Sequence, residues 1–250
     1  MKKYYIILIA FLGCLGLQAK DMTGLKIYIN PGHGGYDSDD RNVAVYPYAQ
    51  GDTLGFWESS SNLHKGLMLR ELLQEQGATV AMSRVLNRTE DDRGLETIGR
   101  EASEWEADLF FSIHSNATGT SRRDNFPMML FRGYTENPVK PEDKVAAKIL
   151  FKHLIENQVT YWTQTEEYVV GDFDFYPDWN NAGLGVLRKL TVTGFFQKVL
   201  ITTMCPKHIV CSTWTTNGWR HGISPKLSWN TSTQKDSQRE ISPVLFMIVA

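Results

Sequence analysis

The sequence predicts an α/β fold, with a mainly parallel or mixed sheet and helices on both faces. Three observations carry this. Short apolar runs alternate with longer segments of helical period, in the order strand, helix, strand, helix, strand. Several of the apolar runs end at turn residues, and one reaches histidine at its carboxyl end. The 250 residues suffice for one sizeable core, and no repeat or low-complexity linker divides them.

Taken in order, "LKIYINPG" predicts a buried strand over residues 25–30, because its β-branched and apolar residues stop at a Pro-Gly turn. Residues 41–57, rich in Pro, Gly and aromatics, read as a loop. From Ser59, "SSSNLHKGLMLRELLQEQG" places Leu63, Leu67, Leu69, Leu72 and Leu73 near helical spacing, with serine to start it and Gly77 to end it. "ATVAMSR" is a second strand and "RGLETIGREASEWEA" a second amphipathic helix. "DLFFSIHSNA" is a third strand ending at His114, and "FPMMLFRG" a fourth. "PEDKVAAKILFKHLIENQ" is a third helix, with Pro141 near its start.

Composition excludes several functions. With 42% apolar and 22% charged residues the chain is of ordinary globular type, and a net charge of −2 leaves no basic footprint for nucleic acid. Lys2 and Lys3, an apolar run over residues 4–17 and then Gln-Ala-Lys-Asp have the form of a secretory signal ending at Ala19. That run is short for a membrane span, and no later segment approaches 18 apolar residues, so no transmembrane segment is expected in the mature chain. Cys14 is a weaker candidate for lipid attachment, since Phe11 stands where such sites usually carry Leu. The expected location is periplasmic or secreted. Only Cys205 and Cys211 remain after residue 19, so no disulfide framework is implied.

In a sheet of this class, ligand-handling residues gather at the carboxyl ends of the strands. His33 and His114 each follow an apolar strand, and Glu58 stands just ahead of the first predicted helix, where negative charge is favoured. A catalytic zinc takes three such ligands and leaves a fourth position for water. Glycines on both sides of His33 allow a sharp bend and close approach to a ligand. Each residue also has a plainer role, as a hydrogen-bonded histidine or a capping charge, and the spacing alone leaves both open.

The segments "NPGHGGYDSDD", "WESSSNL", "MSRVLNRTEDDRGLETIGREAS" and "LFFSIHSNA", in this order, resemble the zinc-dependent N-acetylmuramoyl-L-alanine amidases of peptidoglycan, the amidase type 3 family. The similarity runs from about Lys26 to Phe195. It implies an amidase type 3-like fold, a Zn²⁺ cofactor held by His33, Glu58 and His114, and hydrolysis of the amide between N-acetylmuramic acid and L-alanine. Arg84, Arg93 and Arg100 match a family pattern that supports the fold more than the chemistry. Asn30 departs from the Asp that many members carry and is expected to loosen the surroundings of His33. Rival readings are a zinc carboxypeptidase-like amide hydrolase and a non-catalytic cell-wall binding module.

The family's proton-transferring Glu should follow the last core strand, in a Ser-Glu-Gly-like context, and "QKVLITTMCPKHIVCSTW" does not supply it. Read one nucleotide earlier, with permitted choices at degenerate codon positions, "FFQKVLITTMCPKHIVCSTW" becomes F-S-E-G-S-Y-H-D-Y-V-P-E-T-Y-R-L-L-N-M. Some steps have no freedom: Met204 followed by Cys205 forces valine, and Trp214 followed by Thr forces aspartate. The expectation is a frameshift. Residues 1–19 are then the signal, 20–196 the catalytic domain, and 197–250 an aberrant, poorly ordered tail. The catalytic Glu falls opposite Lys198, the last core helix is missing, and activity is weak or absent. Glu166, Glu167, Asp172 and Asp174 are conceivable substitutes.

Other expectations are finer. Ser115 and Asn116, beside His114, are candidates for substrate contact. So are Trp162 and Tyr176, in a segment whose Tyr168, Phe173, Phe175 and Trp179 could equally pack under a long loop. Asp37, Asp39 and Asp40 read as a solvated turn that could orient His33, and His64 and His153 as helical surface or packing residues. A monomer acting on peptidoglycan is the expected form.

Overall fold

A computed structural model describes residues 21–36, 57–116, 127–156 and 168–201. The signal segment, Asp37, Asp39 and Asp40, the 41–56 part of the expected loop, Trp162, Glu166, Glu167 and residues 202–250 lie outside the described residues.

The strands are β1 (Lys26–Pro31), β2 (Thr79–Met82), β3 (Leu109–Asn116), β4 (Met128–Phe131), β5 (Val169–Gly171) and β6 (Gly194–Ile201). They form one sheet in the order β2-β1-β3-β6-β4-β5. Parallel pairing joins β1 to β2 (Ile27 opposite Val80), β1 to β3 (Tyr28 opposite Phe110), β3 to β6 (Phe111 opposite Phe195) and β4 to β5. One pairing is antiparallel, β4 on β6, with Leu130 opposite Phe196. Only eleven residues, 117–127, separate β3 from β4, fewer than a parallel crossover through a helix needs. β4, with β5 parallel to it, therefore runs back against the other four strands, and the sheet is mixed.

Helices cover both faces, as the alternation predicts. On one face α1 (Glu58–Glu75) and α3 (Pro141–Glu156) pack Leu73, Ala146, Ala147 and Phe151 on Ile27, Ile29, Ile113 and Phe195. On the other, α2 (Leu95–Glu104) and α5 (Gly185–Arg188) pack Ile98, Ala102, Val186 and Leu187 on Tyr28, Phe110, Leu130 and Phe196. Successive strand residues point to opposite faces, so the adjacent pairs Ile27 and Tyr28 of β1, Leu109 and Phe110 of β3, and Phe195 and Phe196 of β6 feed both cores at once. Gly66 of α1 lies over Pro31, where a Cβ would come 2.8 Å from that ring's Cγ. The small residue lets the helix ride close to the end of β1.

Two boundaries differ from the sequence reading. α1 starts at Glu58, not Ser59, and Trp57 precedes it without a side-chain cap. Trp57 is buried, so packing of the indole, in place of a serine hydroxyl, sets where the helix begins. The expected break after residue 196 falls inside β6, which continues to Ile201 because Val199, Leu200 and Ile201 still suit a strand.

The segment after α3 carries more structure than its composition signals. It holds β5, the short α4 (Asp172–Phe175), a 3₁₀ turn (Pro177–Trp179) and α5. Tyr168, Phe175 and Tyr176 pack against the α2/α5 core, the plainer of the two roles left open for those aromatics.

Candidate metal centre

β1 delivers His33 through the turn that follows Pro31, β3 delivers His114 two residues before its end, and α1 delivers Glu58 as its first residue. β1 and β3 are parallel neighbours, so their carboxyl ends open on one side, and the start of α1 reaches the same place. There His114 Nδ1 lies 3.1 Å and His33 Nε2 3.4 Å from Glu58 Oε1. The three ligand atoms lie within 4.8 Å of one another.

The donor set suits a divalent ion. Zinc bonds to imidazole nitrogen and carboxylate oxygen at ~2.0–2.2 Å, so tetrahedral ligand atoms stand ~3.4 Å apart. The two observed separations fall near that value. Glu58 and His114 are buried, while the His33 side chain keeps 21% of its surface exposed. The cluster thus has one accessible side.

Electrostatics prepare these groups to bind a cation. Burial alone would raise the Glu58 carboxyl, but hydrogen bonds from His114 and His33 outweigh it and hold it well below the usual carboxylate range. Burial pushes His114 down to about 4 in spite of Glu58. At neutral pH the carboxylate is ionised and His114 is neutral, the imidazole form that ligates metals.

The backbone around His33 is held from several directions. His33 itself has φ +61°, a left-handed conformation that costs a non-glycine residue ~1–3 kcal/mol. The flanking glycines serve close approach. A Cβ on Gly32 would overlap the His114 ring, and one on Gly34 would come 2.7 Å from the Asp92 backbone nitrogen. Arg84, buried, donates to Pro31 O (2.9 Å), Gly32 O (3.0 Å) and Ser59 O (2.7 Å). One guanidinium therefore ties the His33 turn to the start of α1, a closer part in the site than the sequence pattern assigns it. Arg93 pairs with Glu101, and Arg100 forms an exposed pair with Glu104 at 3.7 Å.

The remaining expected residues fall differently. The Asn30 side chain donates to Ser112 Oγ (2.9 Å) and accepts from Ser83 Oγ (2.8 Å), pinning β1 between β3 and β2. Ser115 contributes through its backbone, whose N–H donates to Glu58 Oε1 at 2.9 Å, while its hydroxyl lies 3.5 Å from Lys65 Nζ. Asn116 closes β3, opposite Ile201 across a register shift. Tyr176 stacks on Trp179 (centroids 4.0 Å) and meets Lys198 Nζ at 3.4 Å. Lys198 pairs with His114 across β3 and β6, with its ammonium near the Phe175, Tyr176 and Phe196 rings. Phe196 in turn stacks on His114 (4.1 Å). His64 is exposed, and His153 sits 3.6 Å from Glu156.

Neither described aspartate proposed as a substitute proton carrier stands ready for that role. Asp172 accepts from the Gly133 and Leu184 N–H groups and pairs with Arg132 at 3.1 Å. Asp174 accepts the Thr135 N–H. Sequence reasoning gave no role to Asn62, which donates to Glu58 Oε1; the four-residue spacing from Glu58 on a helix was the available signal.

A mixed six-stranded α/β sheet with a His–Glu–His cluster at its carboxyl edge defines a protein with a candidate metal centre. Comparison with known families narrows this further. The sequence model described as N-acetylmuramoyl-L-alanine amidase matches residues 27–192, and the chain belongs to that family. Among curated relatives, a sporulation-specific N-acetylmuramoyl-L-alanine amidase of Bacillus subtilis (strain 168) is 36% identical over 96 residues, covering 38% of this chain and 32% of the relative. A germination-specific N-acetylmuramoyl-L-alanine amidase of the same organism is 30% identical over 127 residues, 46% of this chain and 49% of the relative. The chain thus spans a third to a half of these proteins. In fold it is similar to the catalytic domain of CwlV from Bacillus (Paenibacillus) polymyxa var. colistinus (TM-score 0.54, 18% identity, 75% of this chain and 86% of that one). It is likewise similar to Ami1 from Mycobacterium smegmatis (TM-score 0.56, 15% identity, 77% and 89%).

Proposed function

We propose that the chain is a zinc-dependent peptidoglycan amidase directed to the amide between N-acetylmuramic acid and L-alanine, exported to the periplasm or beyond and acting as a monomer. The observation that carries this is the convergence of His33, Glu58 and His114 on one accessible point. Family membership supports the bond cleaved, and the curated relatives' names give the same activity. Among the described residues no helix is long and apolar enough to cross a membrane.

His33, Glu58 and His114 would hold the ion, which when bound polarises the scissile carbonyl and acidifies water. The protein's own part is to keep Glu58 ionised, His114 neutral and His33 at the open side. Amide hydrolysis also needs a group that takes a proton from the attacking water and passes it to the departing amine. By the resemblance, that group belongs where Lys198 stands. An ammonium has three donors and no lone pair, so in its charged form it cannot take the proton. Its positive charge also works against a cation beside His114. The chain as given is therefore a metal-binding amidase fold with weak or absent turnover, and its residues after about 197 are the product of a shifted reading frame. The nucleotide sequence at the Phe196 codon tests the frame directly: no one-base shift restoring Ser-Glu-Gly there ends that part of the reading.

The functional test is digestion of purified muropeptides by the full chain and by Lys198→Glu, with Zn²⁺ added. The expected result is stoichiometric zinc binding by both and little product from the given chain. Lys198→Glu should gain free lactyl-muramic acid by ~10²-fold or more, the usual worth of a proton-transfer group. Equal, substantial turnover by the unaltered chain would falsify the assignment of Lys198. Trimmed stem peptides as product would favour the carboxypeptidase alternative. Sedimentation with peptidoglycan and no product from either protein would favour a binding module.

A further inference from the structure

Asn62 is fully buried one turn along α1 from Glu58, on the same face of the helix. Its Nδ2 lies 3.3 Å from Glu58 Oε1 and 3.3 Å from Gly32 O. Its Oδ1 has no hydrogen-bond partner among the described residues. An unpaired carbonyl oxygen in the interior costs stability, which an apolar side chain of similar size would avoid. The amide must therefore be needed for its donor.

The need does not come from Gly32 O, which also receives the Arg84 guanidinium at 3.0 Å. It comes from Glu58. Asn62 Nδ2, the Ser115 N–H and His114 Nδ1 all meet the same carboxylate oxygen, Oε1. Among the described residues, no hydrogen bond reaches Oε2. A carboxylate held at one oxygen is fixed in rotation.

We infer that Asn62 is a positioning residue for the metal centre: its amide holds the Glu58 carboxylate in the rotation that presents Oε1 to His114 and His33. This rests on the metal-binding reading above. Partners that orient a ligating side chain from outside typically set metal affinity by ~10–100-fold. Ser115 assists from the backbone, beyond the reach of side-chain substitution, so the tunable part of the lock is Asn62.

The test compares the full chain with Asn62→Leu, similar in volume but unable to donate, and Asn62→Ser, whose hydroxyl is too short to reach Glu58. Zinc dissociation constants come from chelator competition, Co²⁺-loaded absorption spectra report the ligand arrangement, and melting of the metal-free proteins reports the fold. The expected result is a ~10–100-fold weaker zinc affinity in both variants. The Co²⁺ spectrum should change as the Glu58 carboxylate is freed to turn. The metal-free Asn62→Leu protein should melt at or above the unaltered chain, since an unpaired acceptor has been removed. Affinities within about threefold, or an unchanged Co²⁺ spectrum, overturn the inference. So does loss of the metal-free fold in both variants, because Asn62 would then be holding the structure. If the unaltered chain binds no metal, the reading beneath fails and the inference with it.

Discussion

Glu58 and Asp172 are both buried carboxylates, one against the end of β3 and the other directly after β5, yet their surroundings assign them different work. Asp172 holds the Gly133 and Leu184 N–H groups and a guanidinium from Arg132. These partners are permanent: two are backbone and the third is always charged. Arg132 also donates to Ala182 O (2.7 Å) and lies over the Phe173 ring, and Gly183, at φ +58°, leaves no room for a Cβ beside it. The knot joins the end of β4 to α4 and to the chain entering α5. Burial pushes the Asp172 carboxyl up, with the two N–H groups and Arg132 opposing the shift. Glu58 instead faces two imidazoles, each a side chain whose neutral form carries a lone pair that can turn toward a cation. A buried acid surrounded by fixed donors is structure; one surrounded by titratable ligands beside an accessible histidine is a site.

That contrast can be broken from either end. The largest effect is expected from Asp172→Ala, which leaves the partly buried Arg132 guanidinium without its carboxylate. It should lower stability by ~3–5 kcal/mol, read by denaturant unfolding, with zinc affinity of the folded protein unchanged. A loss of zinc affinity there would mean that the two regions are coupled. Glu58→Gln should do the reverse. It removes a ligand charge, so zinc affinity should fall by more than the ~10–100-fold set by an orienting partner, while metal-free stability changes less than in Asp172→Ala.

The smallest expected effect separates the regions by pH. Burial pushes Asp143 up to about 6 from 3.8, although Lys140 and the Gly194 N–H oppose it. Between those values the folded protein keeps a proton that the unfolded chain has released, so this group's contribution to stability falls as pH rises. His114 acts oppositely in the metal-free protein. Its pKa drops from 6.5 to about 4, so the unfolded chain takes up the proton first and stability is lost as pH falls through that window. The two slopes offset each other in the unaltered chain. Asp143→Asn keeps an oxygen for the Gly194 N–H (2.9 Å) and removes only the first slope. It should gain up to ~3 kcal/mol over the unaltered chain on going from pH 4 to pH 7.5, measured by urea unfolding of metal-free protein. Equal gains at both pH values would show that Asp143 does not titrate in this range.

Much of the fold was legible because it rests on local pattern. Strands β1 to β4 and helices α1 to α3 announce themselves through apolar runs, helical periods and Pro or Gly stops. β5, α4 and α5 did not, since three- or four-residue elements carry too few positions to show a period. Their aromatics suited a sugar platform and a core alike. The three clustered residues were legible as types at strand and helix ends, but Asn62 was not. The four-residue spacing from Glu58 shows only that the two share a helix face, and the contact with the carboxylate appears in the structure alone.

What the sequence determined by itself was the order of strands and helices and the presence of two histidines and a glutamate where such elements end. It also placed a lysine where a proton carrier was expected. Only the tertiary structure decided that positions 33, 58 and 114 meet, that Arg84 and Asn62 hold them there, and that Asp172 is committed elsewhere. The physical reason is one of range. Secondary structure follows from neighbours a few residues apart, whereas the cluster forms where parallel strands set far apart in the chain open on the same edge of one sheet.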